Sequence, residues 1–583
     1  MSKLALAASR FGRYFPVINW GRHYDRAWLR DDLVSGVVVG LIMIPVAMAY
    51  AQMAGVPAQA GLYSAVVGMT AYALLATSRH LKITASSTMA IMSLSVVAPL
   101  AGGDAAAFMA LSSALALTVG IVMLVLGVLK LGFISDFLTK SVMTGYIFGV
   151  ACLIAISQLP KVFGVPGGSG TFFQQLFHFV SELPQTNFYS LALGLGAIVM
   201  ILIIHQRRPL IPGALLALVL GIAISAIFQL SEKHGVSVVG QIPTGMTSPE
   251  IPWISLGDLP FIIGGAAGIV FLAVGETLGT GRAYAAKYQY EIDADQELLA
   301  LGAANVSSGL FQGITIDMSL SSTASGEAAG ERTQLSTLVS AGVILAVVVL
   351  LAPLLRNLPT TVLGAIVLSS ILGLFNFDEF KRYYQQRKAD FALALTALIG
   401  VVSSSVMIGL AIAVMLSLIM LLYRASRPYI ATLGRQPGTA GGYGDVLRHP
   451  NAQPIPDLTL LRLDAPLYFF NANVARTEIL AHAAEDPPPQ AILLDLAATA
   501  DLDIGTSDML RALDDDLRQA KIDLLFAQVR GSVRQRMQIT GLLDQISEAD
   551  IFLSVDDAVQ AFLARQAAPP PVVIDSHKQQ DLS

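Results

Sequence analysis

The chain has 583 residues, 54% hydrophobic and 13% charged, with a mean hydropathy of +0.64 and a formal net charge of −5. These proportions exclude a soluble domain and indicate a polytopic membrane protein. The net charge carries little information, because in such proteins the placement of Lys and Arg matters more than their sum.

The chain begins "MSKLALAASRFGRYF", basic but without an apolar stretch of signal-peptide length and a small-residue cleavage site, so residues 1–30 are expected to stay as a cytoplasmic arm. A helix needs about 20 apolar residues to cross the hydrocarbon, and such runs recur through residues 31–425. About fourteen spans fit, at roughly 31–53, 58–77, a short 86–100, 105–128, 134–157, 187–205, 209–229, 258–281, 294–310, a short 321–331, 334–353, 358–375, 388–404 and 406–423. The single cysteine, Cys152, sits in an apolar run, allows no intramolecular disulfide or cysteine metal site, and reads as a core residue.

The basic residues alternate between connections. With Lys3, Arg10, Arg13, Arg22, Arg26 and Arg30 in the cytoplasm, the same side receives Arg79, Lys82, Lys130, Lys140, Arg207, Arg208, Arg282, Lys287, Arg332 and the segment from Lys381 to Lys388. The other side holds only Lys161, Lys233 and Arg356. Both termini are therefore expected in the cytoplasm, with an even number of spans in the inner (plasma) membrane.

After Arg427-Pro428 the composition changes. Residues 426–445, with "GRQPGTAGGYGDV", read as a linker, 446–566 as a cytoplasmic α/β domain and 567–583 as a disordered tail. Within the domain "LTLLRLDAPLYFFNA", "QAILLDLAA" and "IDLLFAQV" read as strands, and "SDMLRALDDDLRQA", "VRQRMQITGLLDQ" and "VDDAVQAFLARQ" as helices.

Two stretches stand out among the spans. Ser86-Ser87-Thr88 and Ser321-Ser322-Thr323 each open a short apolar segment, after "RHLKIT" and "QGITIDMS", which do not suit helices. Interrupted hydrophobic segments at corresponding places in two halves mark an inverted-repeat transporter. A half-helix that starts in mid-membrane leaves its first N–H groups free and carries roughly +0.5 charge at that end, and two such ends facing each other make an anion site. Hydroxyls suit the position, since they cap a helix and donate to an anion without a buried permanent charge. Small hydroxyl residues are also common where membrane helices simply pack closely.

Glu276 is the one acid in "FIIGGAAGIVFLAVGETLGTGRAYAAK". An intramembrane charge costs about 2.5–3.5 kcal/mol or more, so Glu276 is either protonated or paired; the alternative is a place near the cytoplasmic end, beside Arg282. Two helix ends supply about +1, enough for a monovalent anion and about one charge short of a divalent one. A proton on Glu276, or a cation such as Na⁺ bound to it, closes that gap. Asp317 either binds the cation or lies in an exposed connection, and Tyr50 either lines the pocket or packs.

The chain resembles the SulP family, the solute carrier family 26 anion transporters, through "DLVSGVVVGLIMIPVAMAYAQMAGVPAQAGLYSAVV", "SRHLKI", "QELLALGAANVSSGLFQG", "SLSSTASGEAAGERTQLS" and "LPTTVLGAIVLSSILGL". The resemblance implies fourteen transmembrane segments in a 7+7 inverted repeat, with a UraA-like core of spans 1–4 and 8–11 that moves, elevator-like, against a gate of spans 5–7 and 12–14. It implies that the backbone at Ser86 and Ser87, the side chain of Ser321 and the ring of Tyr50 surround the anion, with Thr88, Ser322 and Thr323 completing the two stretches. Glu276 matches the eighth-span acid, a Glu in proton-coupled relatives, with Thr280 one turn beyond.

Three departures from the family pattern matter: Thr84-Ala85 stands for Gly-Pro, Val46 for a frequent Gln, and Ser322 for a frequent Arg. The last removes a fixed positive charge and strengthens the case for a co-transported cation. The C-terminal region resembles a STAS domain, with Asp503-Ile504-Gly505-Thr506 in place of a phosphorylatable Asp-Ser-Ser-Gly. That points to folding, dimer contact or partner binding rather than a phosphoswitch.

The expectation is a secondary active transporter for sulfate or a similar small oxyanion, in symport with H⁺ and with no cofactor, as a homodimer in lipid. Bicarbonate, coupled to Na⁺ or H⁺, and dicarboxylates are alternatives; an uncoupled anion channel and an anion sensor are rivals from other classes. A membrane enzyme is disfavoured, because no nucleophile sits with a base and His80, His178, His205 and His234 lie near span ends or in connections.

Overall fold

The computed structural model describes residues 15–567 except 23, 134–138, 169, 208–211, 405 and 439–440. The expectations for Lys3, Arg10, Arg13, Arg208 and the tail from 568 lie outside the described residues. The chain divides into two units, Met1–Ser417 and Leu418–Ser583.

A helix lies at each of the fourteen expected positions: α1 Leu29–Met53, α2 Ala58–Leu75, α3 Ser87–Ala101, α4 Ala105–Val128, α5 Lys140–Phe163, α6 Phe188–Arg207, α7 Gly213–Phe228, α8 Leu259–Tyr288, α9 Ala294–Leu310, α10 Leu320–Ala328, α11 Leu335–Leu350, α12 Thr360–Ile371, α13 Lys388–Ser403 and α14 Val406–Ala425. Among the described residues, eight helices are long and apolar enough to cross a bilayer by length and composition. They correspond to α1, α2, α4, α5, α6, α8, α12 with its continuation to Gln386, and α14, while α3, α7 and α11 are shorter and apolar. Large apolar side chains point outward along α6 and α14, including Val199, Ile203, Ile412, Met415 and Ile419. Such an outer face suits hydrocarbon and not water.

The helices pack as two sets. α1, α2, α4, α8, α9 and α11 pack on one another, with α3 against α4 and α8 and α10 against α1, whereas α5, α6, α7, α12 and α13 make a second group. Contact between the sets runs through α1 with α7 and α12 and through α3 with α5. Small residues make the closest approaches possible: a Cβ at Gly145 of α5 would fall 1.9 Å from the Ala394 carbonyl oxygen of α13.

The segments before α3 and α10 are extended and pair. Strand β1, Ile83–Thr84, runs antiparallel to β2, Asp317–Met318, with Ile83 opposite Met318 and Thr84 opposite Asp317. Pairing consumes the backbone bonds that these segments cannot make as helix, which is how a chain break survives in an apolar interior.

Several boundaries differ from expectation. The eighth helix runs on to Tyr288, because "RAYAAKY" continues without a breaker until Gln289 turns left-handed at φ 54°. Helices Phe172–Glu182 and Phe377–Gln386 were not foreseen; both are too short and amphipathic to register as spans. Lys82, expected as a cytoplasmic loop charge, is fully buried, its Nζ 2.7 Å from Glu331 and bonded to Ser336 Oγ (2.6 Å) and Thr337 Oγ1 (2.7 Å). The missing signal was the partner, which lies far along the chain.

The second unit carries a six-stranded sheet in the order β4-β3-β5-β6-β7-β8. Its strands are β3 Ile430–Arg435, β4 Tyr443–Asp445, β5 Leu458–Leu463, β6 Ala491–Asp495, β7 Asp523–Ala527 and β8 Ile551–Phe552. The expected linker 426–445 is thus corrected: β3 buries Ala431 and Leu433 and pairs antiparallel with both β5 and β4. The expected strand through "LYFFNA" is also corrected. Past Pro466 the chain enters helix α15, Phe469–Ala483, where the Asn471 side chain accepts the Tyr468 N–H at 2.9 Å. Helices α16 Ile504–Gln519, α17 Gly531–Ile539 and α18 Val555–Ala567 complete the unit.

Candidate anion and cation site

The two half-helices start side by side because β1 leads into α3 and β2 into α10. Ser86 is the cap of α3: it is extended (φ −118°, ψ 160°) and its Oγ accepts the Met89 N–H at 3.2 Å. The N–H groups of Ser87 and Thr88, in the first turn, have no partner within the helix. All three residues are buried.

The cap of α10 is Ser319, which the sequence reading missed, rather than Ser321. Ser319 Oγ accepts the Ser322 N–H and lies 2.7 Å from Ser322 Oγ and 3.3 Å from Ser321 Oγ. The side chains of the second stretch then divide by face. Ser322 donates to Met43 Sδ at 3.1 Å, and Thr323 Oγ1 accepts the Lys82 N–H at 3.1 Å, both fully buried. Ser321 alone is exposed. Only it among the three offers a hydroxyl to a ligand; the others hold the half-helix in place. The Ser319-x-x-Ser322 spacing carried a capping signal that the more conspicuous Ser-Ser-Thr masked.

Tyr50 of α1 is buried, with its hydroxyl 3.1 Å from Ser370 Oγ on α12 and Ser87 beside it. Ser370, exposed like Ser321, is another member that the sequence did not single out.

Glu276 is half-buried in α8, and twelve residues of the helix follow it, about 18 Å at 1.5 Å per residue. Its carboxyl lies beside that of Asp317. Asp317 is fully buried in β2, which removes the reading of an exposed connection. Thr280 is half-buried, whereas Thr277 on the same helix is buried with a hydroxyl that has no partner. Tyr146 of α5, which the sequence did not single out, brings a fully buried hydroxyl into the field of both acids.

The arrangement thus joins two positive helix ends, one available hydroxyl and an aromatic ring to a pair of acids. It suits a small oxyanion together with a proton or a monovalent cation, since helix ends bind the one and carboxyls the other.

The sulfate permease family model matches residues 29–397, and the STAS domain model residues 449–558. A probable sulfate transporter of Mycobacterium tuberculosis is 34% identical over 545 residues, 93% of this chain and 97% of the relative. The solved structure of SLC26A9 superposes with a TM-score of 0.89 at 23% identity, over 97% of this chain and 95% of that one. The transmembrane domain of the cyanobacterial bicarbonate transporter BicA matches with a TM-score of 0.59 at 24% identity, over 68% and 97%. At these identities the structural likeness concerns the fold alone.

Proposed function

The chain belongs to the sulfate permease family, whose members are transporters and not enzymes, and we propose that it is a secondary active transporter that moves sulfate or a similar small oxyanion in symport with protons. The observation that carries this reading is the meeting of two half-helix N-termini with the acid pair in one region. The anion sits between the caps at Ser86 and Ser319, held by the N–H groups of Ser87 and Thr88, by Ser321 and by the ring of Tyr50. A divalent anion leaves the two helix ends about one charge short, and a proton entering at Glu276 makes up the difference.

Transport is an elevator-like displacement of a core, α1–α4 with α8–α11, against a gate, α5–α7 with α12–α14, with fourteen transmembrane segments, two of them half-helices completed by β1 and β2, and both termini cytoplasmic. The packing of the helices as two sets supports that division. The STAS domain serves assembly, as a dimer contact, or binds a cytoplasmic partner. Ile504 and Gly505, at the places of the two serines, carry no hydroxyl, and Thr506 beyond them is buried with its N–H held by Asp503, which argues against a phosphoswitch there.

The test is uptake of radiolabelled sulfate into proteoliposomes with and without an inward proton gradient, for the natural protein and Glu276→Gln. Gradient-driven accumulation that the substitution abolishes supports the reading. Uptake indifferent to both gradient and substitution gives a channel, binding without uptake a sensor. Failure of sulfate under all conditions turns the assay to bicarbonate with Na⁺ and to dicarboxylates.

A further inference from the structure

Glu276 of α8, half-buried, and Asp317 of β2, fully buried, lie side by side in the first unit. Asp317 has no exposed surface, and neither of its carboxyl oxygens has a partner of hydrogen-bond geometry, although Ser86 lies beside it. An ionised carboxylate only accepts hydrogen bonds. Two of them facing each other therefore share nothing, and they repel the more strongly as water is excluded.

On α8 itself the nearest cation in sequence is Arg282, six residues beyond Glu276, and Lys82, next to β1, is paired with Glu331. α3 and α4, which flank α8, carry no charged residue. The acids of α9, Asp295 and Glu297, are in its first turn, where Glu297 is taken up by Tyr72 and Thr77. α5 brings Tyr146, neutral and with its hydroxyl unpartnered. Thr84, paired with Asp317 across the two strands, also has a buried hydroxyl without a partner. Unfilled hydrogen-bonding capacity at Asp317, Tyr146 and Thr84 marks a site whose occupant is small.

We infer that Glu276 and Asp317 act as one carboxyl pair that holds a single proton between them, and that the pair, rather than Glu276 alone, is the seat of the coupling ion. The inference deepens the proton-coupled reading above and rests on it. Like carboxyls at close quarters do not ionise together. With the proton in place the pair carries one negative charge; without it the pair carries two. Asp317→Asn puts an amide donor where the proton was, so Glu276 is satisfied as an anion and holds no proton.

Infrared difference spectroscopy of the full-length protein in lipid at neutral pH reads that proton without any substrate, through the deuterium-sensitive C=O stretch of a protonated carboxyl. The band is expected in the natural protein and in Asp317→Glu, which keeps two carboxyls and controls for folding. It is expected to vanish in both Glu276→Gln and Asp317→Asn. Survival in Asp317→Asn assigns the proton to Glu276 alone and overturns the pair, and survival in Glu276→Gln assigns it to Asp317 alone with the same result. Absence of the band from the natural protein also overturns it and leaves a metal cation such as Na⁺ as the occupant. Because no anion is transported here, a failure of sulfate as substrate is read separately, in the uptake assay.

Discussion

The hydroxyl of Tyr50, on α1, lies 3.1 Å from Ser370 Oγ, on α12, so one hydrogen bond ties the two sets of helices together beside the half-helix ends. Tyr50→Phe keeps the ring and removes that bond, whose net worth is about 0.5–1.5 kcal/mol. The expected effect on sulfate uptake is roughly two- to tenfold in rate or KM, with a far larger loss in Tyr50→Ala. Initial rates over a range of sulfate concentrations decide it. A Phe variant as inactive as the Ala variant would assign the hydroxyl a direct part in anion binding.

Ser319 and Ser321 stand two residues apart with different roles. Ser319 caps α10, and its replacement by Ala is expected to cost about 1 kcal/mol of stability, seen as a lower melting temperature. Ser321 is exposed, so Ser321→Ala is expected to raise the KM for the anion and leave the melting temperature in place. Thermal unfolding and uptake measured on both variants test the assignment, and exchanged phenotypes would reverse it.

Lys82 and Glu331 form a fully buried ion pair at 2.7 Å. Removing one partner leaves an uncompensated charge, so Lys82→Met is expected to cost about 3–5 kcal/mol, while the double variant Lys82→Met with Glu331→Leu recovers most of that loss. The yield of folded protein in mild detergent, followed by thermal unfolding, compares the three. A double variant no better than the single one would show that the pair is not the source of the loss.

In the second unit Asp503 caps α16, accepting the Thr506 N–H at 2.7 Å and the Phe469 N–H at 2.8 Å. Burial works against its ionisation, but these backbone donors outweigh it and hold the carboxyl below its ordinary value. A depressed folded value means that the stabilisation is complete above the unfolded value, about 3.9, and is lost as pH falls through the lower folded one. Asp503→Ala is expected to cost about 0.5–2 kcal/mol at neutral pH and to lose its effect in strong acid. Denaturation of the STAS unit within the intact chain, followed against pH, reads both; a cost that persists in strong acid would deny the carboxylate this role.

Much of the site was legible in the sequence. Glu276 stood out because it interrupts an apolar run, and the α3 cap at Ser86 because a hydroxyl triplet follows a segment unsuited to helix. Ser319 was overlooked beside the louder triplet, and Tyr146 and Ser370 look like any polar residue in a membrane helix until a neighbour gives them a direction. The Gly-rich stretch before the STAS domain concealed β3, because its alternating Ala431 and Leu433 are too few to register until β5 is there to pair with them.

The sequence by itself determined that this is a membrane protein with two interrupted segments in corresponding halves and a carboxyl in mid-span. Those properties follow from hydropathy, helix propensity and the cost of burying charge, all of which act within a short stretch of chain. The tertiary structure alone decided that Asp317 meets Glu276, that Lys82 is buried against Glu331, and that Ser321 faces outward while Ser322 and Thr323 face in. Each of these depends on the register of β1 against β2 and on the packing of helices far apart in the chain, where contact is set by three-dimensional fit rather than by the identity of neighbouring residues.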